Sequence, residues 1–407
     1  MKLLFLTDNF PPERNAPAKR TYDHCSEWVK SGNEVTIITG APNFPEGKVF
    51  EGYQNKLYHL EQMDGLTVKR VWTFMTSNSG FFLRIIDYLS FMFSSFICGL
   101  FSKKVDIIIA TSPQFFTLIS GYLLSIFKRT PLAIEIRDLW PESIVAVGAM
   151  KESSLVIKIL EKLAFFIYRK SSIIITVTHS FKKELIQKGI QEDKIVVIEN
   201  GFDFEKQLTP TESIKNVESK YNLNKNKFYV AFTGTVGMAH GLEIIINAAQ
   251  EINNTNIEFL IIGEGARKQF LKDIVKSKEL NNITFIDSIS WIEIVNLNQI
   301  INVHLVHLIK DKEFLKVIPS KIFESMALNK PIIMGVDGES RQITNKANCA
   351  VNIDPESYKE LIEKCYLLYD NPDKIEELGR AGNKYAKNHY SRKILSNKMI
   401  EYIITKI

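Results

Sequence analysis

The chain has 407 residues, 45% of them hydrophobic and 24% charged, the make-up of a folded protein able to bury sizeable cores in roughly two or three domains. A net charge of +5 is mild: it admits anionic substrates or an anionic lipid surface, and the lack of a Lys/Arg block or a nucleic-acid motif argues against a nucleic-acid partner. The cysteines Cys25, Cys98, Cys349 and Cys365 are far apart, without a CxxC and without His at ligand spacing, which points to free thiols in a reducing compartment.

Met1–Asp8 carries too short an apolar run for a secretion signal, and Asp8 closes it, so it reads as a first strand and the protein as cytoplasmic. Apolar, β-branched runs then alternate with helical stretches. The first half has strands at Leu3–Thr7, Val35–Thr39, Val68–Thr73, Asp106–Thr111, Leu132–Ile136, Ile173–Val177 and Ile195–Ile198. The second half has them at Tyr229–Thr233, Glu258–Ile262, Ile283–Ile286, Val303–Leu308, Pro331–Met334 and Ala350–Ile353. Continuous apolar strands separated by helices imply parallel sheets covered on both faces, and two such series imply an α/β protein of two Rossmann-like, doubly wound domains. The expected domains are residues 1–205 and 206–385, with a helix over 386–407 packing back on the first; the polar stretch Glu205–Asn222 marks the crossing.

Two stretches suit a membrane surface. Phe81–Phe101 is nearly long enough to span a bilayer but holds Arg84 and Asp87. Leu155–Lys170 is amphipathic, with Lys158, Lys162, Arg169 and Lys170 beside Leu, Ile and Phe. Together they predict peripheral docking on the inner face of the cytoplasmic membrane rather than a transmembrane helix, with burial of Phe81–Phe101 as an ordinary core helix the competing reading.

Ligands of open α/β sheets bind beyond the carboxyl ends of strands, and two facing domains would put two such edges across one cleft. The distinctive segments do follow strands: Asp8–Pro17, Ser112-Pro113, Asp138-Leu139-Trp140-Pro141, Gly234–Gly241, Gly263-Glu264-Gly265 and Pro319–Glu324. The last reads as a phosphate and ribose cradle. Pro319 and Ser320 punctuate the chain before a short helix whose first amides suit an anion; Lys321 adds a charge, and Glu324, a turn on, can accept hydrogen bonds from sugar hydroxyls. An ordinary capped helix is the alternative.

Taken in order, these segments resemble glycosyltransferase family 4, with the GT-B fold. The resemblance rests on Asn9-Phe10-Pro11-Pro12-Glu13, Gly32-Asn33-Glu34-Val35-Thr36, Asn200-Gly201-Phe202-Asp203, Gly263-Glu264-Gly265, and Glu324-Ser325-Met326-Ala327 with Lys330-Pro331. Arg137-Asp138-Leu139-Trp140-Pro141-Glu142 and Pro319–Glu324 look like the bacterial surface-polysaccharide branch, which includes N-acetylfucosaminyl transferases. The resemblance implies retaining transfer from a nucleotide sugar, a UDP-sugar, to a polyprenyl-diphosphate-linked saccharide in O-antigen or capsule assembly. The family's E-x7-E motif places its second Glu at Glu324, whereas its first position holds Lys316, with Glu313 out of register. The family's Gly-Gly and Lys-Gly pairs read here as Asn15-Ala16-Pro17 and His240-Gly241.

In such chemistry, cations and fixed donors stabilise the departing diphosphate. Lys321, Arg267 and, less strongly, Lys268 are the candidates, with a solvated helix start the alternative for Arg267 and Lys268. Thr235, Val236 and Gly237 offer backbone donors, and Gly263, Gly265, Pro319 and Ser320 complete the donor set. Asp138 could orient or deprotonate the acceptor hydroxyl, or else pair with Arg137 or cap the turn at Pro141; Glu142 is a weaker candidate. Arg14, Lys19 and Arg20, in and after the first loop, could meet a phosphate of donor or lipid carrier, Arg14 the best placed and a solvated loop the alternative; Asn15 is a further acceptor candidate. No D-x-D occurs, and His304 and His307 fall on opposite faces of a strand, so a metal-independent reaction without cofactor is expected. A nucleotide-sugar 2-epimerase and a catalytically inactive sugar-binding partner are the rival readings.

Overall fold

A computed structural model describes residues 1–13, 15–44, 46–76, 81–141 and 153–407. The chain divides into two compact units, Met1–Glu199 with Arg392–Ile407, and Asn200–Ser391. The crossing comes at Glu199, earlier than the polar stretch that suggested it, and the return comes after Ser391 rather than 385. Phe202 already bridges to Ser391 within the second unit, and a helix running to His389 carries the chain past 385.

The first unit is built from β1 (Lys2–Leu6), α1 (Ala16–Lys30), β2 (Glu34–Gly40), β3 (Tyr58–Met63), β4 (Leu66–Val71), α2 (Phe81–Leu100), β5 (Ile107–Thr111), α3 (Phe115–Lys128), β6 (Leu132–Ile136), α4 (Leu155–Lys170), β7 (Ile173–Thr176), α5 (His179–Gln187) and β8 (Ile195–Val197). Its sheet runs β3–β4–β2–β1–β5–β6–β7–β8. The pairs are parallel except β3–β4, a hairpin whose first strand, β3, is absent from the expected strands. Exposed and polar, β3 carries no core pattern. Its signal is Asp64-Gly65, both at positive φ, the two-residue turn that joins Met63 to Leu66.

The second unit continues with α6 (Ile214–Tyr221), β9 (Phe228–Thr233), α7 (Glu243–Glu251), β10 (Ile257–Ile262), α8 (Lys268–Ser277), β11 (Ile283–Ile286), α9 (Trp291–Leu297), β12 (Ile301–His307), α10 (Lys321–Ala327), β13 (Ile332–Gly335), α11 (Glu339–Lys346), β14 (Ala350–Asn352), α12 (Tyr358–Tyr369) and α13 (Pro372–His389). Its sheet, β11–β10–β9–β12–β13–β14, is parallel throughout. The last helix, α14 (Arg392–Lys406), belongs to the first unit.

The central strands are apolar on both faces because helices cover both: Leu3, Phe5 and Ile107 pack with Trp28 and α14, while Leu4, Leu6 and Ile108 pack with α2 and α3. Each such fully buried side chain contributes about 1.5–3 kcal/mol. Leu395, Met399, Ile400 and Ile403 seat α14 on α1, and Trp28 Nε1 donates to the Ser396 carbonyl at 2.9 Å.

Candidate active site

In the second unit, the loops after β9 and β10 are locked together by backbone. Gly234 N–H donates to the Ile262 carbonyl and Val236 N–H to the Glu264 carbonyl, both at 2.8 Å, and Arg267 N–H donates to the Val236 carbonyl at 3.0 Å. A Cβ on Gly263 would stand 1.9 Å from the Gly234 oxygen, which explains Gly-Glu-Gly as a close backbone crossing.

Beside this crossing lies a pocket of about 470 Å³ lined by Thr233–Thr235, Ile262–Glu264, Ser288, Ile289, Trp291, Ile294, Ser320, Lys321 and Glu324. Five expected donor residues thus meet: Thr235, Gly263, Ser320, Lys321 and Glu324. Lys321 is the one cation among the described lining residues. Its Nζ is buried, lacks a hydrogen-bond partner and sits 3.7 Å from the Phe232 ring centroid. Burial pushes its pKa down to about 7 against a smaller opposing effect of Glu324. An ammonium held without a partner at a pocket wall is primed for an anion.

The helix start differs in detail from expectation. Ile322 N–H bonds to the Pro319 carbonyl and Phe323 N–H to the Ser320 carbonyl, so part of the first turn is satisfied within the chain. The anion chemistry of this wall therefore rests on the Lys321 side chain.

Other expected donor residues do not line the pocket. Arg267 pairs with Glu243 and lies over the Phe270 ring. Lys268 is held by Glu264 at 2.6 Å and Asp287 at 2.5 Å. Neighbouring carboxylates neutralise both cations; only Glu264, four residues before Lys268, is visible in the spacing, while Glu243 and Asp287 are not. Gly265 backs onto Val236, where a Cβ would stand 2.3 Å from its oxygen. Gly237 leads into a 3₁₀ turn, and Pro319 serves as the acceptor for Ile322. Lys316, in place of the family's first Glu, bonds Glu313 at 3.2 Å. At the Lys-Gly position, His240 packs against Phe232, and burial, with help from the Lys321 charge, holds its pKa down at about 4. His304 and His307 bond Ser325 and the His240 carbonyl respectively, and no group of three or more metal-ligating side chains occurs among the described residues.

The first unit has its own pocket, of about 220 Å³, where the strand ends of β1 and β5 meet α2; Asp8, Asn15, Arg84, Asp87, Tyr88 and Gln114 are among its walls. Asn15 lines it while its side chain caps α1, accepting from Ala18 N–H at 2.9 Å. Asp138 does not line it. This residue follows β6, its N–H 3.4 Å from Ser112 Oγ; its side chain reaches solvent, yet surrounding protein raises its pKa, opposed by Arg137. Arg14 and Glu142 lie outside the described residues.

Asp8, Asp87 and Gln114 line this pocket although none is singled out as a site residue by the sequence, where Asp8 ends a strand and opens the segment Asp8–Pro17 and Asp87 is a charge inside an apolar helix. Burial raises Asp8 well above the usual carboxylate range, reinforced by Asp87 and Glu13. Burial likewise raises Asp87 to about 7, with Arg84 opposing and Glu13 reinforcing.

Two doubly wound units, one with an unpartnered buried lysine and a carboxylate in a pocket at its strand ends, define a GT-B glycosyltransferase architecture. The description "Glycosyltransferase Family 4" matches residues 18–206 and "Glycosyl transferases group 1" matches residues 213–385. Together they take in most of the chain, which belongs to glycosyltransferase family 4. The chain is 24% identical over 370 residues to WcaI of Escherichia coli strain K12, named for glycosyl transfer in colanic acid biosynthesis, covering 89% of this chain and 90% of that one. It is 23% identical over 303 residues to WbjE of Pseudomonas aeruginosa, named as a glycosyltransferase, covering 73% and 74%. The solved Anabaena HepE in complex with UDP-glucose matches the fold over 100% of both chains, with a TM-score of 0.72 at 14% identity.

Proposed function

We propose that this glycosyltransferase moves a sugar from a UDP-sugar to a polyprenyl-diphosphate-linked saccharide, with retention at the anomeric carbon and without a metal ion, in bacterial surface-polysaccharide assembly. The observation that carries the donor half is the orphaned Lys321 ammonium in a pocket shared with Glu324. In this reading Lys321 meets the diphosphate and neutralises charge as it departs. Glu324 accepts from the ribose hydroxyls, and Ile262, Ile289 and Ile294 form an apolar wall for the base. UDP as carrier is favoured by the HepE complex, and polysaccharide assembly by the relative named for colanic acid. Asp138, at a strand end of the other unit, orients the acceptor.

Membrane docking is supported by a face of the first unit. Leu83–Leu100 is long and apolar enough to cross a bilayer, and 17% of it is buried. Phe91 and Ser95 nevertheless sit in the core, with Ser95 Oγ 2.9 Å from Ser120 Oγ of α3. A helix so fixed to its domain can lie on a membrane but not leave to span it. Leu83, Ile86, Phe93 and Ile97 are exposed on α2, Ile126 and Phe127 on α3, and Leu155 and Ile159 on α4. Ring contacts Phe96–Phe127 and Tyr122–Phe166 join these helices; Lys158 and Lys162 are exposed on α4, and Lys103 and Lys104 just past the end of α2. Aromatic and aliphatic groups flanked by lysines suit an anionic leaflet.

The test is incubation of the full chain with UDP-sugars and lipid-linked acceptors in anionic vesicles, following UDP release and product anomer by NMR. Acceptor-dependent release with a retained anomer is expected. Conversion of UDP-N-acetylglucosamine alone to its 2-epimer, or UDP binding without turnover on every pair, would overturn the transfer reading.

A further inference from the structure

Strand β3 ends the first unit's sheet, and its outer edge is unpaired among the described residues. It pairs with β4 over six residues without a bulge and holds no proline or lysine, so it lacks the usual protections of an edge. Its one acid, Glu61, is already neutralised by Arg70 at 2.7 Å. Apolar side chains stand open there: Leu57, just before the strand, is 83% exposed, Tyr58 50% and Leu60 49%. Which backbone groups face outward follows from the turn. Asp64-Gly65, with φ of 50° and 81°, closes on the hydrogen-bonded pair Met63–Leu66. Alternation along the antiparallel ladder puts the next such pairs at Glu61–Val68 and His59–Arg70. The amides and carbonyls of Tyr58, Leu60 and Gln62 therefore point away from β4, a row of free donors and acceptors.

We propose that β3 pairs with β3 of a second copy of this chain, antiparallel and about a two-fold axis at Leu60. Outward groups must meet outward groups, and facing side chains must share a face, so only even-numbered residues oppose even-numbered ones. Charge decides among the registers that remain. With Leu60 opposite the partner's Leu60, His59 faces the partner's Glu61 and Tyr58 the partner's Gln62. Lys56 then falls beside the partner's Asp64, and each of these pairs occurs twice. The neighbouring registers centre on Glu61 or on His59 and set like residue against like. Opposite charges across strands favour the Leu60 register, and like charges disfavour the others. Such an axis stands perpendicular to the sheet, so the two first units turn the same face the same way. Leu60 lies opposite Lys69 of β4, on the face whose Val71 joins the core under α2, α3 and α4. The exposed apolar groups of those helices in both copies therefore meet one bilayer. The pairing itself depends on neither the bilayer nor the transfer chemistry.

The experiment is sedimentation velocity of the full-length protein over a range of concentrations. Wild type is expected to show reversible monomer–dimer exchange. His59, exposed on the strand, is the first variant site. His59→Glu sets like charges across the axis twice and should weaken the dimer roughly tenfold or more. His59→Lys keeps the attraction and should leave the dimer intact or tighter. Leu60→Pro removes an outward amide that β4 does not use, a change an edge strand tolerates, and should give monomer. Melting temperatures close to wild type show that the variants are folded. Register is read by a short bismaleimide. It should join Leu60→Cys to its twin, because facing residues lie about 5.5 Å apart, and should not join Gln62→Cys, which faces the partner's Tyr58. Wild type, with Cys98 half-buried and the other cysteines buried, is the control. A wild type that stays monomeric up to roughly 100 μM, or a dimer that His59→Glu and Leu60→Pro leave unchanged, would overturn the assignment. So would cross-linking of Gln62→Cys without cross-linking of Leu60→Cys.

Discussion

Gly234 and Lys321 are fitted to each other: a Cβ on Gly234 would stand 2.7 Å from Lys321 Cε and 3.2 Å from its Nζ. Gly234 also holds a φ of +121°, outside the range of ordinary side chains. The glycine therefore serves two ends, letting the loop cross Gly263 and leaving room for the buried ammonium. Gly234→Ala is expected to strain the backbone by about 1–3 kcal/mol and to displace Lys321. Calorimetry should show UDP affinity falling together with the melting temperature; unchanged UDP binding would separate Lys321 from the diphosphate.

UDP binding is expected to depend on pH through Lys321. Its folded pKa, lowered by burial to about 7, lies below its unfolded value of 10.5, so between those values the unfolded chain holds more protons and this group's destabilising effect eases as pH rises. A bound diphosphate favours the charged form and pulls the pKa back up. UDP binding above pH 7 should take up a proton, and affinity should decline toward about tenfold per pH unit at the steepest. Calorimetry at pH 8 in buffers of different ionisation enthalpy detects that proton; Lys321→Met should abolish it.

Glu324 is tested by a double comparison. Wild type should bind UDP more tightly than 2′,3′-dideoxy-UDP by roughly ten- to a hundredfold, the range for hydrogen bonds to a charged group. Glu324→Ala should bind the two alike. A preference that survives the substitution removes Glu324 from the ribose. Turnover should be lost in Glu324→Ala, Lys321→Ala and Asp138→Asn, with melting temperatures close to wild type.

Asp87 carries the opposite linkage sign to an ordinary ion-paired carboxylate. Its pKa is raised by burial to about 7 from 3.8, so between these values the folded state holds more protons and stability drains away as pH rises. Because Asp87 keeps some solvent contact, the effect is discounted to about 1 kcal/mol. Asp87→Asn should then raise the melting temperature by roughly 2–4 °C at pH 8, and the gain should vanish toward pH 4.

Arg20 and Glu135 form a buried pair at 2.8 Å, each side chain 1% exposed. Arg20 also donates to the Ile198 and Glu199 carbonyls, tying α1 to the strand that leads out of the first unit. Burial alone would raise Glu135, but Arg20, Arg137 and the Thr111 hydroxyl outweigh it and hold its pKa below the usual range. Its contribution is therefore present above 4.5 and lost as pH falls through the lower folded value. Arg20→Leu, leaving that carboxylate buried alone, should cost about 3–5 kcal/mol in denaturant melts.

Much of the second unit's pocket is legible in the sequence. Ser320, Lys321 and Glu324 lie within one turn, and Thr235 and Gly263 follow apolar strands, so short-range spacing sufficed. Arg267 and, less strongly, Lys268 are candidates by the same local spacing, but Glu243 and Asp287, 24 and 19 residues away along the chain, hold them. Strand β3 escaped because an exposed edge needs no apolar pattern; only its Asp64-Gly65 turn announced it.

The amino-acid order alone determined two alternating α/β series, the strand ends that carry ligand loops, and the lysine–carboxylate turn at 321–324, because each follows from periodicity and turn chemistry within a few residues. Only the tertiary structure decided which cations remain unpaired and that Asp8, Asp87 and Gln114 share one cavity. Those outcomes depend on strand order, which places β1 beside β5 across a hundred intervening residues of sequence, on the order of the chain's own domain size. Desolvation, the cause of the shifted Lys321 and Asp87, is likewise a property of the assembled surroundings and is written in no local pattern.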